Sequence, residues 1–547
     1  MTGESDPHSR APWRTLGEIA AVVVMFAAAA AWPAPDVNEA VYLTKARHAA
    51  DPAWAAGDFF LETPDAHGVF YLLFGPLAAA LPLEQAAWVG RALGWFALGV
   101  GFWRAVTPVV ATAWGRVVAA ALFSLALRHT TMAGEWVLGG CEAKVFAWAC
   151  VLGGVSEWLR GRFGTAWLLC GAATAWHPIV GGWAIVALVV AFAIRPTRLA
   201  GIGDVVLLVA GCVLAAAGVV PVLSLSVGAD AATRAAAAKI YVVERLNHHL
   251  LLRTFAEAFV ARHLLAVAVW WIVNRLAPQT VARQRLTAFT LGALAISAAG
   301  VGVSLLEAVA ANAALGLLRF YWFRLADVIV PLALAASVAA VLENDAASAR
   351  AFGLAPRMLR LAMTVLLVLD VAAQWAHWPL PGRTGLAARA DAKVDPAGWA
   401  DICRWVRTHS PADACFLTPR GSASFTWRTY RHEVVSWKNS PQDPASLVAW
   451  RTRITDCFAP RTSLAGMEQA TVALGPERVR LVAERYGATH AIVPLDAPRL
   501  AEMPGERLYD NGIYAVYRLD APSARETLAP RGASVPVASP ASEKSDQ

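Results

Sequence analysis

The sequence predicts a polytopic α-helical membrane protein with about 11 transmembrane helices and a C-terminal soluble α/β domain. Three observations predict it. The 547-residue chain is 57% hydrophobic and only 16% charged, whereas soluble domains are about 45–50% apolar and about 25% charged. Long apolar runs recur from Gly17 to Trp378 and then stop. From Pro379 onward the pattern changes to amphipathic helices alternating with short apolar strands, the signature of a small α/β unit.

The expected spans are Gly17–Ala34, Gln85–Val106, Ala113–Leu127, Lys144–Leu159, Thr165–Trp176, Ile179–Ile194, Val205–Leu225, His263–Val273, Leu286–Leu306, Tyr321–Leu342 and Met358–His377. The apolar block Gly68–Leu83 is short and interrupted by Gly75, Pro76 and Pro82. It is expected to lie at the membrane surface or re-enter, rather than cross. With the N-terminus inside and that block not crossing, Arg160 and Arg162, Arg195 and Arg198, Arg275 with Arg283 and Arg285, and Arg350 with Arg357 all fall in cytoplasmic turns, as the positive-inside rule asks. The first span is expected to be a retained signal-anchor rather than a cleaved signal peptide.

The resulting division is a cytoplasmic N-terminus (1–16), a membrane domain (17–378) with an exported first loop (35–67), a linker (379–394), a soluble extracytoplasmic domain (395–520) and a disordered Pro/Ala/Ser-rich tail (521–547). In the soluble domain DPAGWADICRWVRTHS reads as an amphipathic helix, and ACFLTP and HEVVSW read as strands. ASLVAWRTRITDCF and GPERVRLVAERYGA read as helices. THAIVPL, RLYD and IYAVYRL complete the strands, the last two paired across Asn511-Gly512. No catalytic set is recognisable there, and the domain is expected to fold on its own and cap the membrane part.

The formal charge of +7 comes largely from arginines in the turns between spans, so it implies no nucleic-acid partner. Cys141, Cys150, Cys170 and Cys212 lie in or beside spans and read as packing residues. Cys403, Cys415 and Cys457 lack zinc-ligand spacing, and a single disulfide among them is left open. No Walker loop or nucleophile elbow occurs.

Chemistry-bearing residues crowd the exported side. Asp36 and Glu39 stand three apart, so on a helix they would share a face and could hold a cation or activate a hydroxyl. Asp65 and His67 offer a second acid/base pair, or a solvated loop charge with a helix cap. Glu142 and Lys144 read either as site residues or as an interfacial charge pair. His177, before Pro178, reads as a cavity residue or a packing histidine at a kink. Arg319 and Arg324, in RFYWFR, read as a phosphate fork or an interfacial anchor. Arg245, His248, His249 and Arg253 form a further basic cluster.

In layout, residues 17–379 resemble the GT-C superfamily of integral membrane glycosyltransferases. The resemblance rests on a first span followed by an acidic exported loop (PDVNEA), an acidic-plus-His segment leading into a juxtamembrane helix (PDAHGVFYLLFG), an Arg-bearing span (WVGRALGWFALG) and a later acidic residue (GGCEAKVFA). The adjacent Asp-Glu pair of many members is replaced here by Asp36 and Glu39, and the Trp-Trp-Asp sequence of oligosaccharyltransferases is absent. The resemblance implies a bacterial inner-membrane enzyme that moves a sugar from a polyprenyl-phosphate-linked donor to a lipid, glycan or protein acceptor. It implies Asp36 or Glu39 as base or metal ligand, with Mg or Mn as the cation, and Arg319 or Arg324 on the donor phosphate. The alternatives are a non-catalytic transporter or flippase of lipid-linked glycans, and a cell-envelope scaffold.

Overall fold

The computed structural model describes residues 12–199, 201–352, 355–380, 382–383 and 385–520. The expected disordered tail (521–547) and residues 1–11 of the expected cytoplasmic N-terminus lie outside them.

The chain runs through α1 (Pro12–Ala30), α2 (Glu39–Ala50), α3 (Gly68–Ala80), α4 (Leu83–Val106), α5 (Ala113–His129), α6 (Ala143–Leu159), α7 (Phe163–Trp176), α8 (Pro178–Ile194) and α9 (Ile202–Ser224). It continues through α10 (Ala231–Lys239), α11 (Asn247–Leu250), α12 (Glu257–Leu276), α13 (Val281–Leu306), α14 (Ala311–Leu318), α15 (Ala326–Glu343), α16 (Asp345–Phe352) and α17 (Pro356–Gln374). Each expected span overlaps one of these helices. Among the described residues six are long and apolar enough to cross a membrane: α1, α9, α12, α13, α15 and α17 with its extension to His377. The other five differ. Helix α4 carries Arg91 and Arg104, and α5 to α8 run 14 to 17 residues. At 13 residues, α3 is about 20 Å long, short of a hydrocarbon core of about 30 Å.

The chain is thus a multi-pass helical membrane protein. Its bundle closes on apolar side chains, with Phe26, Phe102 and Phe123 in edge and stacked contact and Trp148 and Trp158 fully buried. Helices α7 and α9 approach through glycine: a Cβ on Gly171 would lie 2.2 Å from the Gly211 carbonyl oxygen, so only small residues permit this contact. The outward faces of α9 and α17 expose Val206, Val213, Leu366 and Leu369, apolar surface suited to lipid.

The C-terminal unit holds α18 (Pro396–His409), β1 (Cys415–Leu417), α19 (Phe425–Thr429), β2 (His432–Glu433), α20 (Pro444–Phe458), α21 (Pro476–Tyr486), β3 (His490–Pro494), β4 (Glu506–Asp510) and β5 (Tyr514–Arg518). The strands form one sheet in the order β2-β1-β3-β5-β4, parallel across β2-β1-β3 and antiparallel across β3-β5-β4. Successive side chains of β3 point to opposite faces. Ile492 packs with Trp399 and Val406 of α18, and Ala491 and Val493 belong to the core shared with α20 and α21. Burial on both faces explains why this strand reads as an unbroken apolar run. Cys403, Cys415 and Cys457 are not joined to one another.

One expectation needs correction. The segment 226–262, which separates the expected spans Val205–Leu225 and His263–Val273, is largely helical, and Ala237 and Ile240 are buried in the core of the C-terminal unit beside Leu447, Trp450 and Ile454. That unit therefore does not have a wholly separate core. The first loop joins it as well. Asp58 accepts hydrogen bonds from the Glu433 amide and the Thr426 hydroxyl (both 3.3 Å), and Glu433 accepts from Thr418 (2.7 Å) and Asn439 (3.1 Å).

Burial raises the carboxyl pKa of both Asp58 and Glu433, the latter to about 8 with Asp58 adding to it. A carboxyl whose pKa is higher in the folded than in the unfolded chain holds more protons when folded. Its contribution therefore declines as pH rises from about 4.5 toward 8. The melting temperature of the full chain is expected to fall over that window, and Glu433→Gln to flatten the fall. An unchanged pH profile in the variant would disprove this origin.

Candidate active site

A cavity of about 270 Å³ lies where the first loop, the ends of several helices and the C-terminal unit meet. Seven of the nine residues singled out from the sequence line it: Asp65, His67, Glu142, Lys144, His177, Arg319 and Arg324. Asp36 and Glu39 do not.

Asp65 and His67 are the last loop residues before α3. The His67 Nδ1–H donates to Asp65 Oδ1 at 2.6 Å, and the His67 backbone N–H donates to the same oxygen at 2.9 Å. Burial opposes ionisation of Asp65, but the His67 ring beside it, with Lys45, brings its carboxyl down to about 2. An ionised acceptor on Nδ1 fixes the tautomer and makes Nε2 the proton-accepting nitrogen. Nε2 faces the Tyr42 hydroxyl at 3.3 Å. Burial, with the carboxylates Glu142 and Asp65 adding, keeps that phenol protonated well above its usual range. The His177 ring lies 5.1 Å from His67. Burial holds its imidazole well below the usual range, with repulsion from His67 and Arg324 adding.

Glu142 and Lys144 open α6. Glu142 is almost fully buried, accepts from the Asn38 side-chain amide at 3.0 Å and stands 3.4 Å from Lys144. Burial raises its carboxyl despite Lys144. The turn from α14 to α15 supplies Arg319, Tyr321 and Arg324. Tyr321 has a left-handed backbone (φ 54°), which is strained for a bulky residue. Its hydroxyl pairs with that of Tyr241 at 3.0 Å, and its ring lies 3.8 Å beneath the Arg324 guanidinium. Arg324 pairs with Glu135 at 2.7 Å. The Arg319 guanidinium lies 5.7 Å from the Phe320 ring and, among the described residues, is in no ion pair.

Asp36 and Glu39 are committed elsewhere. Arg389 of the linker donates Nε and Nη2 to the two Asp36 oxygens, both at 2.6 Å. Burial alone would raise the Asp36 carboxyl, but the Arg389 guanidinium outweighs it and the group stays below its usual range. Glu39, fully buried, accepts two bonds from Arg91 (2.8 and 2.6 Å), one from the Cys141 amide (2.7 Å) and one from the Asp36 amide (2.9 Å). Four donors saturate its oxygens. A divalent cation needs several open oxygen ligands, and these two carboxylates do not fit that requirement. Among the described residues no group of three or more His, Cys, Asp or Glu is arranged to hold a metal.

Sequence reasoning missed Tyr42, Tyr241 and Tyr321, which lie on different segments and carry no spacing signal. It also missed Lys438 and Gln442, because the C-terminal unit was read as a cap. Of the basic cluster in 226–262, Arg245 lines the cavity. His249 bonds the Ala133 carbonyl at 2.6 Å, and Arg253 pairs with Glu307 at 3.0 Å on the surface.

Residues 397–457 match a domain of unknown function, DUF6798. No curated protein matches the chain. Among solved structures, the chain is similar to a cryo-EM structure of the arabinofuranosyltransferase AftD from Mycobacteria, at 15% identity and a TM-score of 0.46. The match covers 94% of this chain and 42% of that one, so the chain spans less than half the length of that protein.

Proposed function

We propose that the chain is an inverting membrane glycosyltransferase that transfers a sugar from a polyprenyl-phosphate-linked donor to an extracytoplasmic acceptor (a lipid, glycan or protein). The observation that carries this reading is one cavity in which an Asp-oriented histidine faces a set of cations. Apolar residues of the helix ends, Ile179, Val222, Leu225 and Phe320, line the same cavity and suit the start of a lipid chain. The arginine-bearing turns support an N-terminus in the cytoplasm and a C-terminal unit outside the bacterial inner membrane.

The acceptor hydroxyl donates its proton to His67 Nε2 as its oxygen bonds to the anomeric carbon of the sugar. The bond from that carbon to the phosphate oxygen breaks on the opposite face, which inverts the centre. Asp65 stabilises the imidazolium that forms, and the proton later passes to solvent. The phosphate, gaining negative charge as it leaves, is held by Arg319, Arg324 and Lys144. No step needs Asp36 or Glu39, whose part is to fix the first loop in place.

The reading is tested by binding and transfer with the purified full chain. Arg319→Ala should weaken binding of a polyprenyl monophosphate by about 1.5–3 kcal/mol without lowering the melting temperature, because no carboxylate loses a partner. Lys at this position should rescue only in part, since it restores charge without the planar fork. Arg324→Ala should also lower stability by exposing buried Glu135 to an unpaired state. Unchanged lipid-phosphate affinity in both variants would reduce these arginines to interfacial anchors.

A further inference from the structure

The charges lining the cavity do not balance. Lys144 stands 3.4 Å from Glu142, and Arg324 stands 2.7 Å from Glu135. Arg245, Arg319 and Lys438 also line the cavity, and among the described residues none of these three is in an ion pair. Arg319 is taken up by the donor phosphate in the reading above, on which this inference rests. Arg245 and Lys438 remain.

These two come from opposite sides of the junction. Arg245 ends a π-helical turn (Ile240–Arg245), in which the Leu246 amide reaches back five residues to the Tyr241 carbonyl at 2.9 Å. Such turns are rare, and they recur where a helix must present side chains to a site. This one directs Tyr241 and Arg245 to the cavity. Glu244, the carboxylate next to Arg245 in sequence, pairs instead with Arg451 at 3.1 Å. Arg245 is 9% exposed and donates Nε to the Trp437 carbonyl at 3.1 Å and Nη2 to the Lys438 carbonyl at 3.3 Å. The Lys438 ammonium has no hydrogen bond or ion pair among the described residues. Burial, with Arg245 adding to it and the Glu142 carboxylate opposing, brings that ammonium down to about 8.

Two cations that line one cavity with no ion-pair partner among the described residues leave it short of negative charge, with Glu142 already shared with Lys144, and an anion between them offsets that imbalance. A sugar phosphodiester carries one negative charge, which Arg319 can match at the other end. We propose that the cavity receives two anionic groups, and that Lys438 of the C-terminal unit and Arg245 of the π-helical turn hold the second, a phosphate or carboxylate. That second group belongs either to the donor, as a diphosphate link, or to the acceptor.

The test compares undecaprenyl monophosphate and undecaprenyl diphosphate binding to the full chain, wild type and Lys438→Met. Arg245→Lys serves as a second variant, and the melting temperature is followed in each. Lys438 has no partner to lose, so Lys438→Met should melt no lower than the wild type. If the donor carries the second anion, the wild type should bind the diphosphate at least tenfold more tightly than the monophosphate. Lys438→Met should then reduce that preference to about twofold, with monophosphate affinity unchanged. If the acceptor carries it, both lipids should bind alike, and the monophosphate-loaded protein should take up inorganic phosphate with an affinity that Lys438→Met lowers at least tenfold. Either pattern supports the proposal.

A wild type with neither the diphosphate preference nor the second phosphate overturns it, as does a Lys438→Met variant that weakens both lipids equally. Failure of monophosphate binding in the wild type would instead count against the donor reading. The response of inorganic phosphate binding to Lys438→Met would still report on the second anion.

Discussion

Replacing His67 with glutamine should lower sugar transfer by about two to four orders of magnitude, the usual contribution of a positioned general base, with little change in donor binding. Glutamine keeps a polar side chain of similar reach but cannot take up a proton at cavity pH. Asp65→Asn should produce a smaller loss, because the amide can offer Nδ1 an acceptor but not the negative charge that stabilises imidazolium. The measurement is single-turnover transfer from a labelled donor in detergent, with donor affinity followed separately. Full transfer by His67→Gln would remove this residue from the chemistry and leave Glu142, whose buried carboxyl is biased toward the protonated form, as the next group to examine.

The largest expected effect on stability lies outside the cavity. Glu39→Gln should destabilise the protein by about 3–5 kcal/mol, because it leaves the Arg91 guanidinium buried without its counter-charge. Arg91→Ala should cost a similar amount by leaving Glu39 uncompensated. Both should appear as reduced yield in membranes and a lower melting temperature, and any loss of transfer should scale with the loss of folded protein. Replacing both partners with apolar residues should recover only part of the loss, because the amides of Asp36 and Cys141 and the Trp32 carbonyl each bond to this pair and would be left without partners. A Glu39→Gln protein that folds and melts normally yet transfers no sugar would return the catalytic role to Glu39, as the family resemblance implies.

The fate of this pair shows how far the sequence could be read. Apolar runs and arginine-bearing turns mark the helices because burial in lipid imposes composition over whole segments. The strands of the C-terminal unit were legible for a related reason: AIVPL, residues 491–495, is apolar throughout because β3 is covered on both faces. The site was legible as a neighbourhood, and seven of the nine chosen residues line one cavity. What could not be read was pairing. Arg91 lies 52 residues from Glu39, and Arg389 lies 353 residues from Asp36. Nothing local distinguishes a carboxylate whose oxygens are filled by a distant guanidinium from one left open. Lys438 escaped notice for the converse reason, since an unpartnered lysine in a soluble segment looks like any solvated one until the opposite wall of its cavity is known.

The joint between the two parts of the molecule also bears on how the protein comes into being. Ala237 and Ile240 emerge from the ribosome some two hundred residues before the strands and helices that cover them. Lys438 and Gln442, which complete the cavity wall, are made after every span has been synthesised. During synthesis the cation-lined hollow is therefore an open bowl, and it becomes a chamber only when the C-terminal unit docks onto α10. A nascent or prematurely terminated chain would carry most of the reactive side chains but no enclosed place to use them.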